Sequence, residues 1–288
     1  MNVRTHADTG VAIGDLVDAI ASTLGRAGIQ DPGAEARDLV AAVAGQNRFW
    51  PRLHADRIAT PDVVQRAQAV ATRRAAGMPF AYAVGRAAFR HLTLSVNASV
   101  LIPRQETELL VDLVLERRSN GGVVADVGTG SGAIALALAT EGRFDRVLAT
   151  DIAADAISVA KENARALRLN VEFRTGDLLA PLTGERLDVL VSNPPYIAFD
   201  EAGALPGLVR DWEPSHALFS GKNGLDATSR IASGAPELLC SGGLLALEVD
   251  CRRALQVAEL VASNGAYSGV SVCQDLMGRD RFVLATRA

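Results

Sequence analysis

The sequence predicts an α/β protein, a doubly wound and mostly parallel seven-stranded sheet with an antiparallel edge pair, preceded by a small helical domain and a β-hairpin linker. Three observations predict it. Short apolar runs alternate with helical stretches from Val123 to Ala285, the rhythm of strands joined by crossover helices. The last two strand-like runs have no helix between them, which suits an antiparallel pair. Upstream, the hydrophobic period is helical to about residue 78 and then switches to two.

The elements follow in order. In residues 1–78, Ile13, Leu16, Val17, Ile20 and Leu24 share one helical face. Asp31-Pro32 supplies an N-cap and first-turn pair for a second helix running to Gly45. Thr60-Pro61-Asp62 repeats the device, and Gly77 followed by Pro79 stops the third helix. This region carries no catalytic cluster and is read as a substrate-docking domain. Residues 79–103 read as the hairpin: Leu92, Leu94 and Val96 alternate with Thr93 and Ser95, and Asn97-Ala98 is the expected turn into Val100-Leu101. The catalytic domain is expected over 104–288. Its opening stretch, Pro103-Arg104-Gln105-Glu106-Thr107-Glu108, leads into a helix; its Thr and Glu residues fit either helix-start chemistry or a place at the site. Strands are expected at 123–127, 147–150, 171–174, 187–191, 244–249, 267–273 and 281–285. Helices are expected at 133–140, 154–167, 226–239 and 254–263.

Composition narrows the class of function. The 288 residues are 49% hydrophobic and 22% charged, as in a soluble globular protein. A net charge of -4 offers no broad footprint for nucleic acid, so no direct nucleic-acid partner is expected. The longest apolar run, 133–139, is too short to span a bilayer, and the chain start around Asp8 and Gly10 lacks a basic-then-apolar layout. A cytoplasmic monomer without membrane contact is the expectation. Cys240, Cys251 and Cys273 are scattered and lack metal-ligand spacing; they read as buried thiols, and no metal is expected.

Two motifs carry the chemistry. The first is Asp126-Val127-Gly128-Thr129-Gly130-Ser131-Gly132, a glycine loop leaving a strand and opening a helix, where backbone can approach a ligand closely. Its Gly-x-Gly-x-Gly spacing differs from the Gly-x-Gly-x-x-Gly of dinucleotide folds. Asp126 beside the loop would repel a pyrophosphate but suits the sulfonium and ammonium of S-adenosylmethionine. Asp151 closes the second strand, where an acid can accept both ribose hydroxyls. Asp177, after the third, is placed for the adenine amino group, with Leu178 flanking the ring. Three acids at successive strand ends plus the loop point to S-adenosylmethionine as cofactor, with S-adenosylhomocysteine as product.

The second motif is Asn193-Pro194-Pro195-Tyr196, directly after the fourth strand. Asn-Pro alone is a turn signal. At the carboxyl edge of a parallel sheet it also stands where such folds bind ligands. Prolines offer only carbonyls, so the Asn193 side-chain oxygen and the Pro194 carbonyl can accept the two N–H bonds of a planar amide or exocyclic amine. Tyr196 can pack on the flat group and exclude water. Amide nitrogen is a poor nucleophile, so direct in-line methyl transfer would rest on orientation rather than on a strong base.

With these residues in hand, the chain resembles the HemK/PrmC protein-(glutamine-N5) methyltransferases over nearly its whole length. The likeness runs through Leu101-Ile102-Pro103-Arg104, Glu106-Thr107-Glu108, the 126–132 loop, 192–197, Trp212-Glu213-Pro214, Gly224-Leu225 and Gly278-Arg279-Asp280-Arg281. The resemblance implies a Rossmann-like class I S-adenosylmethionine-dependent methyltransferase. Its substrate would be the glutamine of the Gly-Gly-Gln loop of peptide chain release factors, methylated on the side-chain amide. It also implies cofactor contacts at Gly128, Thr129, Gly130, Ser131, Gly132, Asp151, Leu178 and Asn193, with the glutamine against Asn193, Pro194, Pro195 and Tyr196. Four places depart from the family pattern: Ala88-Phe89 stands for Glu-Phe, Arg90-His91 where glycine is common, Gln105 for proline, and Val249-Asp250 after Glu248 for His/Ile-Gly. The alternatives are a ribosomal-protein glutamine methyltransferase, a paralogue acting on a small-molecule amide or amine, a nucleic-acid amino-methyltransferase, and an NAD-binding or non-enzymatic module.

Overall fold

A computed structural model describes residues 10–288; the first nine, Asp8 among them, lie outside the described residues. The chain divides into two compact units at Gly85. In the first, α1 (Ile13–Arg26), α2 (Pro32–Val43), α3 (Trp50–Leu53), α4 (Pro61–Ala75) and α5 (Phe80–Val84) bury Leu16, Ile20, Leu24, Leu39 and Val40 in one core. Asp31 and Thr60 cap as expected: their side chains accept from the N–H groups of Ala34 and Val63, contacts typically worth ~1 kcal/mol. Arg74 of α4, itself buried, donates to Glu35 of α2 at 2.6 Å. Two segments differ from expectation. Trp50–Leu53 adds a short helix, and 80–84 is helical rather than extended, because Pro79 opens a turn that Gly85 closes at φ 80°.

The second unit begins with the hairpin β1 (Arg86–Phe89) and β2 (Leu92–Ser95), so the turn is at Arg90-His91 and not at Asn97-Ala98. Arg90 adopts φ 53°, a conformation that favours glycine. Interactions offset that strain: Glu108 accepts from the Arg90 backbone N–H at 2.9 Å, and the guanidinium forks onto Glu141 at 2.7 and 2.6 Å. Beyond it come α6 (Gln105–Arg117), β3 (Val123–Val127), α7 (Ala133–Glu141), β4 (Arg146–Asp151), α8 (Ala154–Leu167), β5 (Glu172–Thr175) and β6 (Leu187–Ser192). Two short helices, α9 (Gly207–Arg210) and α10 (Ser215–Leu218), lead to α11 (Asp226–Leu238), β7 (Leu239–Glu248), α12 (Ala254–Ser263), β8 (Tyr267–Gln274) and β9 (Asp280–Arg287).

The seven-stranded sheet runs β5-β4-β3-β6-β7-β9-β8, parallel through β7 and antiparallel at β9 and β8. Alternation along the strands sorts side chains to two faces. Val124, Val189 and Val191 pack toward α6 and α7, while Ala125, Val127 and Leu190 pack toward α11 and α12. The sheet order reverses direction between β3 and β6, which opens a crevice at their carboxyl ends. The three cysteines are half-buried rather than buried. Cys273 lies on the edge strand β8, Cys240 at the irregular start of β7, and Cys251 in the turn after it.

Candidate active site

Register brings the two motifs together. Val127 of β3 pairs with Ser192 of β6, and Ser192 pairs with Leu247 of β7. The next residues along, Gly128, Asn193 and Glu248, therefore stand at three adjacent strand ends. Gly128 and Gly130 hold φ 75° and 55°, and a Cβ on either would extend into open space. Gly132 differs: its missing Cβ lets Leu136 and Ala160 close in, so this glycine serves helix packing. The loop is braced on both sides. The Gly128 and Thr129 N–H groups donate to the Thr150 carbonyl at 2.8 and 2.9 Å, and Asn163 of α8 donates to the Ser131 carbonyl at 2.9 Å.

The three acids occupy different settings. Asp126 is sealed beneath the loop, with the Thr129 hydroxyl (2.6 Å) and the Ala135 N–H (3.2 Å) both donating to Oδ2. Its Oδ1 is buried without a partner, and burial pushes the carboxyl up to about 7. Asp151 lines the cleft and accepts from the Gly130 N–H at 2.9 Å and the Ala153 N–H at 2.9 Å, so it shapes the loop it faces. Asp177 also lines the cleft but is ion-paired with Arg230, whose Nη1 lies 3.3 Å from Oδ1. Leu178 beside it adopts φ 45°. The cleft encloses about 320 Å³, within the range of small-molecule sites.

Asn193 and Pro195 share this cleft with Gly128, Gly130 and Asp151. Asn193 Nδ2 donates to Thr107 Oγ1 at 3.1 Å, which leaves Oδ1 as the free end of the amide. Tyr196 faces an adjoining groove with Arg104, Glu248 and Arg281. Burial, with the Glu248 carboxyl nearby, holds its phenol up at about 12. The loop from 193 to 199 is pinned by Ile197 and Phe199, whose N–H groups donate to the carbonyls of Leu218 and Gly221 at 3.0 and 3.1 Å. Gly224, at φ 75°, approaches so closely that a Cβ would lie 2.4 Å from the Tyr196 carbonyl oxygen.

Sequence reasoning did not single out Asn163, and it named Glu213 and Arg281 only within the family likeness. Glu213 is buried and accepts from Arg104 at 2.6 Å and from the Ile102 N–H at 3.3 Å, which holds the 101–104 stretch in place. Their signals were weak ones, such as a polar residue in mid-helix or a lone acid between Trp212 and Pro214. The departures have local accounts. Ala88 points to solvent, Gln105 sits at the first position of α6 where any residue leaves its N–H unbonded, and Asp250 accepts from Arg252 and Arg253.

Comparison with known proteins agrees with this architecture. A family model described as Methyltransferase small domain matches residues 104–204, and one described as PrmC N-terminal domain matches residues 15–85. The chain is 44% identical over 284 residues to the release factor glutamine methyltransferase of Moorella thermoacetica, covering 96% of this chain and 97% of that protein. To the release factor glutamine methyltransferase of Deinococcus radiodurans it is 40% identical over 277 residues, covering 95% and 98%. A solved methyltransferase from Pyrococcus furiosus shares the fold, with a TM-score of 0.53 at 20% identity over 69% of this chain and 90% of that one. Fold and site define an S-adenosylmethionine-dependent methyltransferase. Within that class, the chain belongs to the release factor glutamine methyltransferases.

The residues present fit the cofactor. Asp151 lines the cleft with acceptor capacity left for hydroxyls, and Gly128 and Gly130 leave room that any side chain would occupy.

Proposed function

We propose that this chain methylates the side-chain amide nitrogen of the glutamine in the Gly-Gly-Gln loop of peptide chain release factors. S-adenosylmethionine, when bound, supplies a methyl group made electrophilic by its sulfonium. The chain's own residues do the rest. Gly128 and Gly130 admit the cofactor, Asp126 holds the loop from beneath and adds negative charge there, and Asp151 has lone pairs left for ribose hydroxyls. Asp177 and Leu178 border the end of the cleft assigned to adenine. Thr129, Ser131 and Gly132 act through the loop's shape.

The observation that carries the acceptor assignment is the anchored Asn193 amide. With Nδ2 committed to Thr107, Oδ1 accepts one N–H of the glutamine amide and the Pro194 carbonyl accepts the other. Pro195 completes the wall, and Tyr196 backs it from the adjoining groove. A phenol titrating near 12 stays neutral, so Tyr196 serves as a surface and not as a base. The helical unit is the docking module for the release factor. Phe49, Leu53 and Ile58 are exposed there among Arg48, Arg52 and Arg57. No helix among the described residues is long and apolar enough to cross a membrane. We place the enzyme in the cytoplasm as a monomer, without direct nucleic-acid contact.

Asn193→Ala tests the assignment. Turnover is expected to fall by ~100-fold or more, the usual cost of losing one preorganised hydrogen-bond partner, with cofactor affinity nearly unchanged. Wild-type turnover in that variant would remove Asn193 from the reaction.

A further inference from the structure

We infer that Thr107 and Glu248 form a positioning relay that fixes which end of the Asn193 amide faces the acceptor glutamine. The inference rests on the role of Asn193 proposed above. A terminal amide can turn over, presenting either oxygen or nitrogen, and only the oxygen can accept a substrate N–H. Turned the wrong way, it would set donor against donor.

The structure supplies a device that selects one orientation. Thr107, in the first turn of α6, is buried and receives Asn193 Nδ2 at 3.1 Å. A hydroxyl has one proton, and the relay assigns it to the Glu248 carboxylate, which ends the neighbouring strand and whose ionised form Thr107 favours. The chain of donors therefore reads Asn193 to Thr107 to Glu248, and it is consistent only while Glu248 accepts. Were Glu248 to donate instead, the Thr107 hydroxyl would turn toward Asn193 and favour its oxygen end, which reverses the amide.

Glu248 has no fold role that explains its burial. Its Oε2 is buried without a partner, and an ionised carboxylate so placed costs stability. It does not cap the following helix, since α12 begins at Ala254 with no side-chain cap. Around it stand Arg281 of β9, Arg104 and Glu106 at the start of α6, and Tyr196 and Asp250, which share its groove. The two arginines favour the ionised form and Glu106 opposes it, while burial raises the carboxyl to about 7. Turnover is therefore expected to rise as the pH is raised through about 7, as Glu248 becomes a full acceptor.

The test is methyl transfer to release factor by the full chain, with S-adenosylhomocysteine binding measured beside it. Thr107→Val, which keeps the shape and removes the hydroxyl, is expected to lower kcat roughly 10- to 100-fold while cofactor affinity holds within about twofold. Thr107→Ser is expected to restore most of the rate. Glu248→Gln is expected to flatten the rise of kcat with pH, a readout that a purely structural role would not move. Wild-type kcat in Thr107→Val, failure of the serine variant to recover it, or an unchanged pH profile in Glu248→Gln would each overturn the relay. Asn193→Ala in the same assay separates the two levels. If it is inactive while Thr107→Val is normal, only the relay fails; if it is active, the role of Asn193 itself fails.

Discussion

Asp126 and Asp151 sit at neighbouring strand ends, yet burial assigns them different work. Asp126 has one satisfied oxygen and one orphan, and its carboxyl is pushed up to about 7. A folded-state value above the ordinary one means that the associated stability is present at acid pH and is lost as pH rises through about 7. Asp126→Asn keeps an acceptor for Thr129 and Ala135 and removes the charge. It should stabilise the cofactor-free protein by roughly 1–3 kcal/mol at pH 8 and by less at pH 5, while weakening cofactor binding. Melting curves at the two pH values check this; equal shifts at both would contradict it. Asp151→Ala removes a cleft-lining acceptor and a loop brace together, so cofactor affinity should fall about 10- to 100-fold, or ~1.5–3 kcal/mol. An unchanged titration would leave Asp151 as a brace alone. The glycines and Asn193 were legible in the sequence because their residue types are rare solutions to close approach and amide recognition. Thr107 and Glu248 were only half legible, because a threonine at a helix start and an acid at a strand end fit a helix-start or helix-cap role as well as a place at the site.

Among the elements, the parallel core was legible almost strand by strand, since apolar runs buried on both faces announce themselves. The hairpin was not. Its turn depends on Arg90 holding a positive φ, and that is stabilised by Glu108 and Glu141, partners that no local pattern reveals. The segment from 197 to 224 was equally opaque, because backbone pairing of Ile197 with Phe219 organises it rather than a periodic apolar face. Gly224 is the sensitive point of that segment. Gly224→Ala would set a Cβ against the Tyr196 carbonyl in a backbone conformation that alanine resists. Turnover should fall at least tenfold with a loss of roughly 1–3 kcal/mol in stability. Full activity in this variant would mean that the 193–196 loop tolerates displacement.

For the whole molecule, the division at Gly85 separates a unit without catalytic groups from one that contains the complete cleft. That separation predicts a split in kinetics. Replacing Phe49 and Leu53 with Asp should raise KM for intact release factor about tenfold, leave kcat unchanged, and leave methylation of a short Gly-Gly-Gln peptide unaltered. Equal effects on protein and peptide would argue against docking through the helical unit. The central claim, that the nitrogen accepting the methyl group is a release-factor glutamine amide, has a more direct test. Purified enzyme is incubated with methyl-labelled S-adenosylmethionine and either normal release factor or one whose Gly-Gly-Gln glutamine is replaced. Label on the normal factor alone is the expected result. Equal labelling of both factors, or of neither while the cofactor binds, would contradict the assignment.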